Sequence, residues 1–121
     1  MSKFSLRETA SGFKFDLQAA NGQVILSSEV YTSRAAARKG IASVRAIAPG
    51  APVENRTDAP VLPQPNPKFE LYRDRAGKYR FRLKARNGKI VGISEGYSNR
   101  TGCLNGIESV RKNAPEADME E

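Results

Sequence analysis

Ser28, Glu29, Tyr31 and Arg34 return later in the chain as Ser94, Glu95, Tyr97 and Arg100. A carboxylate, a phenol and a guanidinium in one short stretch could move a proton or grip an anion. Repeated twice, the set offers Glu29 and Glu95 as a symmetric acid pair. It also has a plain structural use. A Glu just ahead of a helix is stabilised by the helix dipole. A Tyr packs its ring and leaves its hydroxyl at the rim, and an Arg pairs with an acid. Such effects are worth about 0.3–1 kcal/mol each. Structural ion pairs perturb acids as sites do, so the set by itself favours the structural use.

A second group is Lys78, Arg80, Arg82, Lys84 and Arg86, alternating with Tyr79, Phe81, Leu83 and Ala85. At the two-residue period of a strand all five cations share the face away from the core. That face is either ordinary solvated surface or a track for the phosphates of a nucleic acid. The matching residues of the first copy are Lys14, Asp16 and Gln18, nearly neutral, and no aromatic ring stands among the cations to stack a base. A third group, Arg34, Arg38 and Arg45, lies within about 40° on a helical wheel, and Arg100 and Arg111 repeat two of its members. Its stems can cover the apolar rim while the heads stay wet, or its heads can hold an anion at the seam between copies.

The composition narrows the chemistry. The chain has no histidine and one cysteine. Ser-His and Cys-His nucleophile pairs are excluded, and so is the commonest zinc ligand. Cys103 has no partner for a disulfide and falls on a helix face expected to be buried. No Gly-rich phosphate loop or nucleophile elbow is present. The expectation is a non-enzymatic binding or structural protein with no catalytic residue, metal or cofactor. A net charge of +7 allows nucleic acid, anionic lipid or an acidic protein as a partner. Exposed strand edges add peptide capture by strand addition. No apolar run is long enough to span a membrane, and Met1–Phe4 has no leader-like core, which points to the cytoplasm.

The elements that must position these residues follow from one observation. The stretch 21–49 recurs as 87–115, so the chain is two copies of one unit. Each is about 45 residues, too short for a robust core of its own, so the two should share one. In the first copy Phe4 and Leu6 mark a strand, and Phe13, Phe15, Leu17 and Ala19 mark a second. Asn21-Gly22 predicts a two-residue type I′ hairpin, with Val24 and Leu26 facing the core and Ile25 facing out. A longer loop would shift that phase. A helix capped by Thr32 or Ser33 runs to about Ala48, with Ala37, Gly40, Ile41, Val44, Ile47 and Ala48 on the face that covers the sheet. Gly40 and Gly106 recur in mid-helix at a cost of about 1 kcal/mol each, which suggests that backbone approaches backbone there. The second copy repeats each step from Phe69 to Pro115, with Ser98 or Asn99 as its cap.

We therefore read one domain: repeat 1 over 3–56, a linker over 57–67, repeat 2 over 68–115 and a tail over 116–121. Six of the seven prolines fall within 49–67, and no strand can hold from Asp58 to Pro67. The acidic tail is expected to fray.

The pattern Asn21-Gly22, Ser28-Glu29-Val30-Tyr31, Gly40-Ile41-Ala42-Ser43-Val44-Arg45, Ala48-Pro49 recurs in the second copy as Asn87-Gly88, Ser94-Glu95-Gly96-Tyr97, Gly106-Ile107-Glu108-Ser109-Val110-Arg111, Ala114-Pro115. It resembles the YegP family, small bacterial proteins of uncharacterised function. The resemblance implies an α+β fold. Tandem β-β-β-α-(β) repeats would form one mainly antiparallel sheet with two helices on one face and pseudo-two-fold symmetry. It also implies final strands exchanged between the halves: Val53–Arg56 in the first copy, with only Asp118-Met119 at that place in the second. A single chain built this way is expected to be a monomer with the internal symmetry of a dimer. The family brings no catalytic residues with it.

Overall fold

A computed structural model describes all residues from 1 to 121. The first copy supplies β1 (Lys3–Thr9), β2 (Gly12–Gln18), β3 (Val24–Ser27), α1 (Arg34–Ile47) and β4 (Val53–Asn55). The second supplies β5 (Lys68–Arg73), β6 (Tyr79–Lys84), β7 (Ile90–Ile93), α2 (Arg100–Asn113) and β8 (Asp118–Glu120). All eight strands form one sheet in the order β4-β5-β6-β7-β3-β2-β1-β8. Pairing is antiparallel except at the two outer edges. There β4 runs parallel to β5, and β8 parallel to β1.

Each copy thus sends its last strand to the far edge of the other. Val53 and Asn55 align with Phe69 and Leu71, while Lys3 and Ser5 align with Asp118 and Glu120. The tail does not fray, contrary to expectation. Backbone pairing with β1 holds it, and the Lys3 ammonium meets Glu120 at 3.1 Å. Hydrogen bonding to an otherwise bare edge strand decides the matter, and a tail with four acids in six residues reveals little of that.

One core of 21 buried residues lies under both helices. Phe4, Phe15, Phe69 and Phe81 are fully buried, paired edge-on at 5.9 and 5.8 Å between ring centroids. The helices bury Ala37, Gly40, Ile41 and Val44 in α1 and Cys103, Gly106, Ile107 and Val110 in α2, one stripe each at helical spacing. Ser33 caps α1 by accepting from Ala36 N, and Asn99 caps α2 by accepting from Gly102 N. Burial lifts the Cys103 thiol to about 11, so it is inert at neutral pH. No helix is long and apolar enough to cross a membrane.

Two local expectations change. The Asn-Gly turns are three-residue loops, not type I′ turns. The Ala19 carbonyl accepts from Gly22 N while Ala19 N donates to Gln23 O, and the same bonds recur at Ala85, Gly88 and Lys89. Only the glycines have positive φ, +84° at Gly22 and +81° at Gly88. A three-residue loop closed by a left-handed glycine is the next most common hairpin connection after the two-residue turns. Ile25 is the extra residue of a bulge on β3, since Leu17 pairs with Leu26 and Gln18 with Val24. The bulge turns Ile25 inward, 5% exposed, and leaves Val24 half-buried.

At the centre of the sheet β3 meets β7, with Ser27 opposite Ile93. Gly92 is buried there, and a Cβ on it would lie 2.6 Å from Leu26 Cγ. These two residues occupy the same place in their respective copies.

Candidate functional site

The repeated Ser-Glu-x-Tyr-x-x-Arg set does not assemble into one site. Ser28 Oγ accepts from Phe15 N and donates to the Glu29 carbonyl, at 2.9 and 2.8 Å. Ser94 does the same with Phe81 N and the Glu95 carbonyl. Both serines are buried pins at the end of a strand. Tyr31 exchanges backbone hydrogen bonds with Phe13 and stacks on Phe15 at 6.1 Å; Tyr97 stacks on Phe81 at 6.4 Å. Arg34 turns away to Glu121 and Arg100 to Asp58, at 3.3 and 3.4 Å. Glu29 and Glu95 are exposed, make no ion pair, and share no cleft.

The recurrent helix glycines make room for these tyrosines. A Cβ on Gly40 would stand 2.3 Å from Tyr31 Oη, and one on Gly106 2.3 Å from Tyr97 Oη. The close approach is ring tip to helix, not backbone to backbone. Burial, then the charge of Glu29, raises the Tyr31 phenol above its ordinary value. Gly40→Ala should therefore destabilise by about 2 kcal/mol despite alanine's better helix propensity. Tyr31→Phe in the same chain, which removes Oη, should recover part of the loss on urea denaturation.

The arginine group on α1 holds anions that belong to the chain itself. Arg38 grips Glu121 with two nitrogens, at 2.8 and 3.0 Å, and Arg34 joins it. Arg45 donates to the carbonyls of Ala114 and Pro115, each at 3.3 Å, with its guanidinium over Phe4. Arg111 donates to the Ala51 carbonyl, three residues beyond the counterpart of Ala114, and lies over Phe69. These residues fasten the copies together, and no cleft gathers them as a site.

The basic strand is largely neutralised. Register sets Glu70 opposite Arg82 and beside Glu54 on the outer face. Arg82 binds Glu70 at 2.6 Å, Lys84 approaches it at 3.5 Å, and Lys68 bridges Glu54 and Glu70 at 2.8 and 3.4 Å. Arg56 closes on Glu54 at 2.7 Å, and Gln64 N from the linker donates to the same carboxylate. Arg80 is taken by Asp74 at 2.6 Å. Lys78 and Arg86 alone of the five make no ion pair, and both are exposed. The two central carboxylates are almost fully buried, with side chains 1% and 3% exposed. The Lys68 hydrogen bond, the Gln64 N–H and Arg56 hold Glu54 down to about 2 against burial. Burial alone would raise Glu70, but Arg82, Lys84 and Lys68 outweigh it and keep it low. Glu54 and Glu70 escaped sequence reading because they lie on separate strands of different copies.

The largest concave surface is at the seam. A cleft of about 660 Å³ opens between α1 and the β6–β7 hairpin of the other copy. Glu29, Val30, Tyr31, Ala36, Lys39, Gly40 and Ser43 form one wall. Ala85, Asn87, Gly88, Lys89, Ile90 and Val91 form the other. The symmetry-related cleft, between α2 and the 19–21 turn, has about 480 Å³ and is lined by Asn21, Asn105, Glu108, Ser109 and Lys112 among others. Sequence reading singled out Glu29, Tyr31 and Gly40 here but missed Lys39, Ser43, Asn87 and Lys89. A comparison of the two copies would have marked the lysines, since Lys39 matches Asn105 and Lys89 matches Gln23. No group of three or more Cys, Asp or Glu converges in a way that could hold a metal ion.

Comparisons with known proteins agree with this architecture. The profile of a family described as "Domain of unknown function (DUF1508)" matches residues 9–55 and 74–121, once per copy. "UPF0339 protein YegP" of Escherichia coli O157:H7 is 40% identical over 107 residues, 88% of this chain and 84% of that relative. A "UPF0339 protein" of Treponema denticola is 60% identical over 50 residues, which are 41% of this chain and 86% of that relative, so it is about one repeat long. The solution NMR structure of the E. coli "protein of unknown function yegP" superposes with a TM-score of 0.80 at 34% identity, covering 98% of this chain and 90% of that one.

Proposed function

The chain belongs to the DUF1508 family of YegP-like proteins, and from that premise we propose that it is a non-enzymatic binding module that holds a ligand in the seam between its two copies. One observation carries this reading. The largest cleft is built by both copies, and its charged groups Glu29, Lys39 and Lys89 make no ion pair, although much of the remaining surface charge is paired. Groups left free on facing walls suit recognition. The phenol and the hydroxyl of the cleft, Tyr31 and Ser43, make no hydrogen bond to Glu29, Lys39 or Lys89 that would activate them, which favours holding a molecule over converting it. A cytoplasmic location suits a protein whose single thiol is buried and unpaired. A phosphate-backbone track along Lys78–Arg86 is less favoured, because Arg80, Arg82 and Lys84 are bound to Asp74 and Glu70.

The test is a screen of small neutral, anionic and cationic fragments followed by ¹H–¹⁵N NMR. Shifts should cluster at residues 29–31, 36–43 and 85–91. Hits scattered over the surface, or turnover of a bound fragment, would overturn the reading.

A further inference from the structure

The duplication has left the two seam clefts chemically unequal. Tyr31 and Tyr97, Ser43 and Ser109, and Asn87 and Asn21 keep the same residue types at related places. The lysines do not follow this rule. Lys39 on α1 and Lys89 on the hairpin face one cleft from its two walls, while the other copy has Asn105 and Gln23 at those places. Neither lysine has a carboxylate partner, as Lys3, Lys68 and Lys84 do, and of the unpaired lysines only these two line this cleft. A recess of about 320 Å³ adjoins the cleft across Ser43 and Asn87, and it adds Arg86, also unpaired. Three cations thus stand against the single acid Glu29. The second cleft has the single lysine Lys112, and its Glu108 is held by Arg111.

We propose that the cleft between α1 and the β6–β7 hairpin binds a small organic phosphate, with Lys39 and Lys89 closing on the phosphate from opposite walls. This rests on the seam being the binding site and names the ligand class for it. Phosphate is preferred to carboxylate because two ammonium groups with Arg86 nearby suit a dianion better than a singly charged carboxylate. An organic phosphate is preferred to the bare ion because the walls are partly apolar. Val30, an exposed large side chain, stands on one wall with Tyr31, and Ala85 and Ile90 stand on the other. The Tyr31 hydroxyl donates to nothing in the protein and is free to meet the ligand.

Phenyl phosphate is the probe, with phenylacetate, phenol and inorganic phosphate as comparisons, followed by ¹H–¹⁵N NMR on the full chain. Phenyl phosphate should bind saturably at residues 29–31, 39–43 and 85–91, with a dissociation constant of about 1 mM or tighter. It should bind more tightly than any of the other three. Lys39→Gln and Lys89→Gln should each weaken it about tenfold, the scale of one charge-assisted hydrogen bond. Both lysines are exposed, so the thermal midpoint should not move. Gln23→Lys with Asn105→Lys should create a second site in the related cleft. If phenol shifts the same residues as strongly and the lysine variants bind equally well, the seam is a binding site but the phosphate assignment is wrong. If no probe reaches the cleft, both fail.

Discussion

Gly92→Leu should cost the protein about 3 kcal/mol or more, and adding Leu26→Gly should recover most of it. Leu26 is fully buried, and a Cβ at position 92 would lie 2.6, 2.7 and 2.8 Å from its Cγ, Cδ2 and Cδ1. Overpacking of this kind costs about 1–3 kcal/mol and occasionally more, and the seam strands leave little room to relax. Leu26→Gly alone should cost about 3–5 kcal/mol, from the cavity and from a strand glycine. The two positions correspond between copies and meet near the pseudo-two-fold axis. Two leucines would collide there and two glycines would leave a hole, but one of each fills the space. The exchanged pair places the same total volume on the other side of the axis. Urea denaturation should put the double variant within about 1.5 kcal/mol of the parent. Should Gly92→Leu not fold at all, Gly92→Ala with Leu26→Ala closes the same cycle. Losses that simply add would show that the two side chains do not share a volume.

Acid should open the protein at the β4 edge first. Glu54 sits at about 2 in the fold against 4.5 as an unperturbed carboxyl, so the unfolded chain takes up the proton first. The stability it contributes is complete above pH 4.5 and drains as pH falls from 4.5 toward 2. Glu70, also held low, acts in the same direction. Glu54→Gln should cost about 2 kcal/mol at neutral pH, because it leaves Lys68 and Arg56 with one carboxylate fewer in a buried network. It should also flatten the acid limb of the stability curve. The chain contains its own control. Glu120 meets Lys3 at the place where Glu54 meets Lys68, but its side chain is 59% exposed. Glu120→Gln should leave both the midpoint and the acid limb unchanged, since exposed pairs contribute little. Equal effects at 54 and 120 would show that burial by the linker and by Glu70 is not what strengthens the first pair.

The strands, the helices and the shared core are legible from periodicity and repetition. Phe4, Phe15, Leu17 and their partners in the second copy alternate as a one-sided sheet requires, and all are buried. The glycine pair 40 and 106 announces a close approach, though its partner is a tyrosine tip that no helical wheel contains. The misreadings share a cause. The register of Ile25 depended on a bulge, and the order of the tail depended on a free sheet edge. The fate of the five cations depended on acids held on other strands. Each lies in pairing between segments, which the periodicity of one segment does not contain.

Two copies, a helix-covered antiparallel sheet and the absence of histidine chemistry were all contained in the order of residue types, because local periodicity and composition are properties of the chain alone. Only the tertiary structure could decide which charges remain free. Exchange of β4 and β8 brings Glu54 to Lys68 and Glu121 to Arg38, and so consumes cations that look available in the sequence. It leaves Lys39 and Lys89 unpaired on the facing walls of a cleft that neither copy can form by itself.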